Sequence, residues 1–305
     1  MSDRIFPKIK FVLALLFFTL LPVLGWQGVA QAGHTTAVTD SEADRLIYYW
    51  DLRSRDSFVQ VTNTDVTPTR IHVQIFDTTV GANCAEFDFF DDLTAFDTHV
   101  YDVSSLTRNN GVPLAEPDLS NGHGIVAITT VNSSGNSSGS DVLTGNFRIR
   151  SEGFEYRTNA AGVRTSASDF WGFNFNDVDS STLADVVLVS IDTLSSPGGV
   201  QWSTEDYLPT MYDENENPIS CPEITVECGG STPTPINYGL NQLIINSRGG
   251  PSLCLGSDPR GHVVLESGDS GSFVAVFVGL NNGDGTGSMD SAVEIDISNY
   301  NDSLD

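Results

Sequence analysis

The chain has almost no lysine. Lys8 and Lys10 are its two lysines, so the 11 basic residues that follow position 32 are all arginines. Against 14 basic residues there are 40 acidic ones, and the formal net charge is −26 at pH 7. Such a surface repels nucleic acid and anionic lipid, attracts cations and stays soluble in high salt. The composition therefore argues against a nucleic-acid partner and fits either a saline habitat or divalent-cation binding.

Long hydrophobic runs are also scarce. The longest, residues 11–26, has about 16 residues, whereas a membrane-spanning helix needs roughly 20. Basic residues precede this run, and the small residues Ala30 and Ala32 follow it, a pattern typical of a cleavable secretory signal peptide. We therefore expect residues 1–32 to be removed and residues 33–305 to be secreted, periplasmic or on the cell surface, without membrane insertion. The alternative is an uncleaved membrane anchor.

Cysteine is limited to four residues. An even number in an exported chain predicts two disulfides, with three connectivities to choose from. If the chain from Cys221 to Cys228 is extended, its ends lie roughly 23 Å apart, whereas bridged Cα atoms lie within roughly 7 Å. This favours Cys84–Cys221 and Cys228–Cys254, although a proline turn inside the segment would restore the local pairing. The absence of a CxxC spacing argues against a zinc site.

Alternating apolar and polar residues, separated by turn signals, predict an all-β fold. In residues 70–77, for example, Ile71, Val73 and Ile75 share one face. The apolar content of 39% is sufficient for a substantial core despite the charge. The predicted strands cover residues 45–50, 57–63, 70–77, 98–103, 124–131, 142–150, 154–157, 186–192, 223–227, 240–246, 262–266, 272–280 and 292–297.

Two segments bear on domain organisation. Residues 132–140 are rich in serine and glycine and lie between two predicted strands, so we interpret them as a long hairpin loop. Residues 229–235 contain glycine and proline and are the best linker candidate. We expect residues 33–305 to form one elaborated domain, with a candidate break near 229–235.

Residues 58–106 have a recognisable order of features. FVQVTNTDVTPTRIHVQIFD contains two strands around a proline turn, and LTAFDTHVYDVSSL contains a Leu-Thr turn followed by another strand. This order resembles the immunoglobulin-like β-sandwich domains of bacterial secreted and surface proteins. The resemblance implies a sandwich and carries over no catalytic residue. Together with the cysteines, it predicts an elaborated, disulfide-stapled immunoglobulin-like β-sandwich.

The sharpest enzyme motif is Gly-Asp-Ser-Gly-Ser at residues 268–272. It is similar to the serine-nucleophile motif of chymotrypsin-like proteases, and that resemblance implies Ser270 as the nucleophile. His99 and Asp141 precede it in the required order, but neither has the sequence context of that family. A Gly/Asp/Ser turn between two strands is the favoured interpretation.

A calcium loop is predicted near the C-terminus. Asn282, Asp284, Thr286 and Asp290 place oxygen ligands at alternate positions in a glycine-rich stretch. The twelfth position is Val293 rather than glutamate, so the EF-hand pattern is incomplete. The alternative is an Asn/Gly hairpin turn with solvated carboxylates.

Two further groups suggest carbohydrate chemistry. Trp171, Phe173 and Phe175 would share one face of a strand, where they could form a platform for stacking sugars or, more commonly, part of the core. Acidic residues such as those at positions 88, 91 and 92 could serve as the acid and base of a glycosidase, but adjacent acids are expected in so acidic a chain.

We therefore favour a non-enzymatic extracellular or cell-surface β-sandwich with a structural or adhesive role, steadied by Ca²⁺ and binding a surface glycan or protein. A carbohydrate-binding module is the first alternative. A secreted serine hydrolase acting through Ser270 is the second.

Overall fold

The computed structural model describes the backbone of residues 42–78, 85–114, 119, 122–151, 154–163, 170–175, 183–192, 198–202, 205–213, 218–220, 224–226, 237–239, 261–267, 272–281, 287–291 and 293–294. Side chains are described for residues 42–78, 85–114, 119, 122–150, 155, 157–162 and 198–201. Every regular element in these ranges is a β-strand, and none of them contains a helix long and apolar enough to cross a membrane.

The described residues contain 21 strands, numbered in chain order. They are β1 (Arg45–Asp51), β2 (Asp56–Asn63), β3 (Thr69–Asp77), β4 (Ala85–Leu93), β5 (Thr98–Asp102), β6 (Thr107–Arg108), β7 (His123–Val131), β8 (Leu143–Ser151), β9 (Phe154–Asn159), β10 (Ala161–Val163), β11 (Phe170–Phe175), β12 (Leu183–Asp192), β13 (Gln201–Trp202), β14 (Glu205–Asp213), β15 (Pro218–Ser220), β16 (Ile224–Val226), β17 (Asn237–Gly239), β18 (Gly261–Ser267), β19 (Ser272–Asn281), β20 (Gly287–Ser291) and β21 (Val293–Glu294).

The first ten strands form two antiparallel five-stranded sheets. Sheet A has the order β6-β5-β2-β8-β9, and sheet B has the order β10-β1-β7-β3-β4. The later strands form two more antiparallel sheets, with the orders β15-β14-β18-β11-β21 and β13-β12-β19-β20; β16 also pairs with β14, and β17 with β12. The predicted all-β class is confirmed.

Sheets A and B face each other across an apolar core. Tyr48 of sheet B meets Phe147 of sheet A edge to face, with ring centroids 6.5 Å apart, and its hydroxyl donates to the Gln60 carbonyl oxygen at 3.1 Å. This is the two-layer packing of a β-sandwich, in which alternate residues of each strand point inward. The buried inward residues include Leu46, Trp50, Val59, Val61, Ile71, Val73, Ile75, Val126, Ile128 and Ile149.

A close approach between the sheets requires glycine in β8. A Cβ atom on Gly145 would overlap the Tyr48 hydroxyl and come within 2.5 Å of the Gln60 carbonyl oxygen. Any side chain at position 145 would therefore displace the ring that holds the two sheets together.

In sheet B, strands β1 and β7 are buried on both faces, unlike the strands of sheet A. Ile47, Ile125 and Ala127 point away from sheet A, yet all three are fully buried. On the outer face of sheet A, by contrast, Phe58 lies beneath the guanidinium groups of Arg148 and Arg150, at 4.4 and 5.5 Å from its ring centroid. The near-continuous apolar sequence of β1 reflects this burial on both sides.

The predicted strands from residue 45 to residue 157 are confirmed, and their ends shift by two residues at most. The hairpin predicted at 132–140 is wrong, because β7 belongs to sheet B and β8 belongs to sheet A. The segment instead carries the chain from one sheet to the other. Strand β4 was not predicted, and the predicted strand at 240–246 lies outside the described residues.

Candidate functional site

A cluster of polar side chains lies between the sheets where β4 faces β5. The Asp91 carboxylate accepts hydrogen bonds from His99 Nδ1 at 3.0 Å and the Tyr101 hydroxyl at 3.0 Å through Oδ2. Its Oδ1 atom accepts from Arg108 Nη1 at 2.7 Å. We call these four residues the Asp91 cluster. It joins the edge strand of sheet B to strands β5 and β6 of sheet A.

The position of Asp91 follows from the alternation in β4. Asp91 pairs in register with Ile71 of β3, which faces the core, so its side chain also points inward. Only 12% of that side chain is exposed. A buried carboxylate is tolerated when donors satisfy it and a cation balances it, and the cluster supplies both.

The hydroxyl of Tyr101 is a hydrogen-bond donor to Asp91. Burial, the negative charge of Asp91 and the hydrogen bond to that carboxylate all raise the pKa of Tyr101 far above its usual range. The phenol therefore stays protonated at physiological pH, as a donor to Asp91 requires.

His99 connects the cluster to the turn between β4 and β5. Its Nε2 atom lies 3.4 Å from Asp97 Oδ2. Desolvation raises the pKa of Asp97, but hydrogen bonds from Thr94 and the nearby charge of His99 outweigh it, so the pKa is lowered overall. Asp97 therefore remains ionised and fastens this turn.

A second polar group lies on the other face of sheet B. The Gln74 carboxamide accepts from the Val200 amide at 2.8 Å and donates to the Val200 carbonyl oxygen at 3.2 Å, so it pairs with that residue much as a neighbouring strand would. It also donates to Glu86 at 2.7 Å. His72 adds a contact from Nδ1 to the Gly198 carbonyl oxygen at 2.7 Å. These contacts anchor residues 198–200 on β3.

Glycine makes this second contact possible. A Cβ atom on Gly199 would overlap the Gln74 carboxamide, and one on Gly198 would overlap the carbonyl oxygen of Gly135. The consecutive glycines therefore allow the backbone to lie against both β3 and the 132–140 connection.

Of the predicted serine-protease triad, the structure describes His99 and Asp141 but not Ser270. His99 directs its two nitrogens at Asp91 and Asp97, and the described hydrogen bonds do not join it to Asp141, which is exposed. Ser270 lies outside the described residues, between β18 and β19, which belong to different sheets.

The predicted glycosidase pairing is not supported by the geometry of β4. Successive residues of a strand point to opposite faces, so Asp91 points away from both Asp88 and Asp92. Asp88 and Asp92 share a face, but their Cα atoms are roughly 13 Å apart along the strand, whereas glycosidase carboxylates lie about 5–10 Å apart. Asp88 instead lies 2.8 Å from His72 Nε2.

The predicted calcium ligands fall around one hairpin. Strands β19 and β20 pair antiparallel, with Asn281 opposite Gly287, so residues 282–286 connect them. Asn282, Asp284 and Thr286 lie outside the described residues, and Asp290 lies in β20, roughly 10 Å along the strand from Gly287. The described part of the chain contains no group of three His, Cys, Asp or Glu side chains arranged to hold a metal.

The remaining predicted residues are placed only in part. Trp171, Phe173 and Phe175 lie at alternate positions of β11, as expected, but their side chains are outside the described set. The four cysteines also lie outside it. The carbohydrate platform and the disulfides therefore stay predictions.

Sequence reasoning did not find the Asp91 cluster. The one available signal was the alternation of Phe87 and Phe89 with acidic residues, which would have identified β4 and placed Asp91 on its inner face.

No protein-family model matches the chain, and no curated protein matches it. The residues and their contacts are therefore the basis for a functional proposal.

Proposed function

We propose that this chain is a non-enzymatic protein of the extracellular space or the cell surface, with a structural or adhesive role. The observation that carries the proposal concerns the three histidines whose side chains the structure describes. His72, His99 and His123 each contact a neighbouring group of the fold. A general base needs a ring nitrogen directed at substrate, whereas these nitrogens connect strands and loops. These three histidines thus serve as structural cross-links.

We further propose that sheets A and B form an elaborated immunoglobulin-like β-sandwich. In support, both are antiparallel and five-stranded, and the chain passes from one sheet to the other after β1, β2, β4, β6, β7 and β9. Repeated crossing between two facing sheets is a feature of immunoglobulin-like folds. Two disulfides and a calcium ion in the 282–286 connection would stabilise such a domain outside the cell.

Export can be tested by fractionating cells that express the full chain and measuring the mass of the recovered protein. We expect the chain in the medium, in the periplasm or on the surface, beginning at Gly33. Recovery from the cytoplasm with residues 1–32 still attached would overturn the proposed location and, with it, the proposed role.

A further inference from the structure

Two highly exposed apolar side chains lie at the same end of the sandwich. Val66 is 69% exposed and lies between β2 and β3, and Phe96 is 65% exposed and lies between β4 and β5. The two connections touch, because the Phe96 amide donates to the Asp65 carbonyl oxygen at 3.2 Å. We call Val66 and Phe96 the tip pair.

Phe96 has a backbone conformation that bulky residues rarely adopt. Its φ angle is 56°, in the left-handed region. Such a conformation costs free energy and persists only where the surrounding structure fixes it. Here the Asp97 amide donates to the Thr94 carbonyl oxygen, and the Asn63 amide donates to the Asp97 carbonyl oxygen, at 3.2 and 2.9 Å. The turn therefore holds an aromatic ring in solvent despite the strain.

One buried side chain fastens both connections. The Asn63 carboxamide donates to the carbonyl oxygens of Thr67 at 2.8 Å and Thr94 at 2.9 Å, and it accepts from the Asp65 amide at 3.0 Å. Asn63 itself is 0% exposed. The tip pair is thus presented by a rigid support, and a preorganised surface loses less entropy when it binds.

Carboxylates flank the tip pair and indicate the charge of its partner. Asp65 and Asp97 lie in the same two connections, within one residue of Val66 and Phe96. The whole chain carries −26, so a second copy, nucleic acid and an anionic membrane are all repelled. A partner with positive charge around an apolar contact is complementary to this end.

We propose that the tip pair is a docking site for an apolar side chain of a partner protein whose contact surface is rich in arginine and lysine. This proposal rests on the adhesive role proposed above and names the class of partner. Exposed aromatic residues on rigid supports are typical centres of protein interfaces, and the surrounding charges guide association.

A library of random displayed peptides, selected on the purified full chain, tests the proposal. We expect selected peptides to contain an aromatic or leucine residue flanked by arginine or lysine, and to bind more weakly as salt rises. Phe96→Ser should weaken their binding about tenfold or more. Phe96→Gly should do the same while relieving the backbone strain, which separates lost binding from lost folding. Val112→Ser, at another exposed apolar residue, is the control and should leave binding unchanged.

Several outcomes would overturn the docking site. These are a failure to select any peptide, the selection of acidic peptides, equal binding to Phe96→Gly, or self-association of the chain that Phe96→Gly abolishes. None of these outcomes contradicts the proposed extracellular location if fractionation finds the chain outside the cytoplasm. Cytoplasmic recovery would refute the location even where peptides bind through Phe96.

Discussion

Replacing Asp91 with asparagine should destabilise the sandwich more than any other single neutralisation in β4. The substitution keeps the shape of the side chain but removes its charge, and it turns an acceptor into a donor. The new amide group then faces Arg108 if it takes the place of Oδ1, or both His99 and Tyr101 if it takes the place of Oδ2. Arg108 also loses its paired charge at a largely buried position.

The expected cost follows from this geometry. Removing one partner of a buried ion pair costs about 3–5 kcal/mol, and the partial exposure of Arg108 favours the lower end. We expect Asp91→Asn to lower the free energy of unfolding by about 3 kcal/mol, which corresponds to a fall in Tm of roughly 6–12 °C. Tyr101→Phe should lower the free energy of unfolding by less in the Asp91→Asn variant than in the parent protein, because Tyr101 and Asp91 share a hydrogen bond.

Denaturant unfolding followed by circular dichroism measures the change. Asp92→Asn is the matched control, because it removes the same charge from the next residue, which is exposed. Surface changes of this kind usually lie within about 0.5 kcal/mol of the parent. If the two variants unfold with equal free energies, the Asp91 cluster does not hold the sheets together and the reasoning is wrong.

Three further predictions concern other parts of the molecule. Gly145→Ala should lower the free energy of unfolding by about 2 kcal/mol or more, because the new methyl group overlaps Tyr48. Gly139→Ala has open space around it and should lower the free energy of unfolding by about 1 kcal/mol through backbone strain alone. Thermal melts of the two variants measure the difference. Gln74→Ala should speed hydrogen exchange at the Val200 amide, because that amide loses its acceptor, and an unchanged rate would refute the anchor. Burial lowers the pKa of His123, so the folded state favours the neutral ring. The resulting contribution to the stability of the fold is present above about pH 6.5 and is lost as the pH falls towards the lowered pKa of His123. His123→Gln should therefore reduce the loss of stability between about pH 7 and pH 5, and an unchanged slope would refute this assignment.

The calcium proposal has its own test. Excess calcium should raise the Tm of the chain relative to EDTA at constant ionic strength, because a ligand bound only by the folded state stabilises it. Equal Tm values in calcium and in EDTA would refute the calcium site, and the acidic composition would then be an adaptation to salt.

How far the sequence predicts this fold depends on the strand. In β2 and β3 the alternation of apolar residues is regular, so both were located to within a residue. Strand β4 was missed, because its acidic residues have low strand propensity and its paired Phe89-Phe90 interrupts the alternation. The 132–140 connection has the composition of a turn, but composition does not reveal that the next strand joins another sheet.

The candidate site was harder to predict for a physical reason. Asp91 and His99 are close in the chain, but they meet only because β4 and β5 lie in sheets that face each other. Gln74 and Val200 are 126 residues apart. The sequence placed Gln74 on the face opposite Ile71, but no local pattern identifies a partner so distant.

The proposed non-enzymatic role of the chain is tested most directly by covalent labelling of Ser270, which lies between β18 and β19. The purified chain is incubated with a fluorophosphonate, and its mass is compared with that of Ser270→Ala treated in the same way. The account predicts no adduct above the level of the variant. One adduct per chain at Ser270, lost in His99→Gln, would show that His99 serves a nucleophile and would contradict the structural role proposed for it.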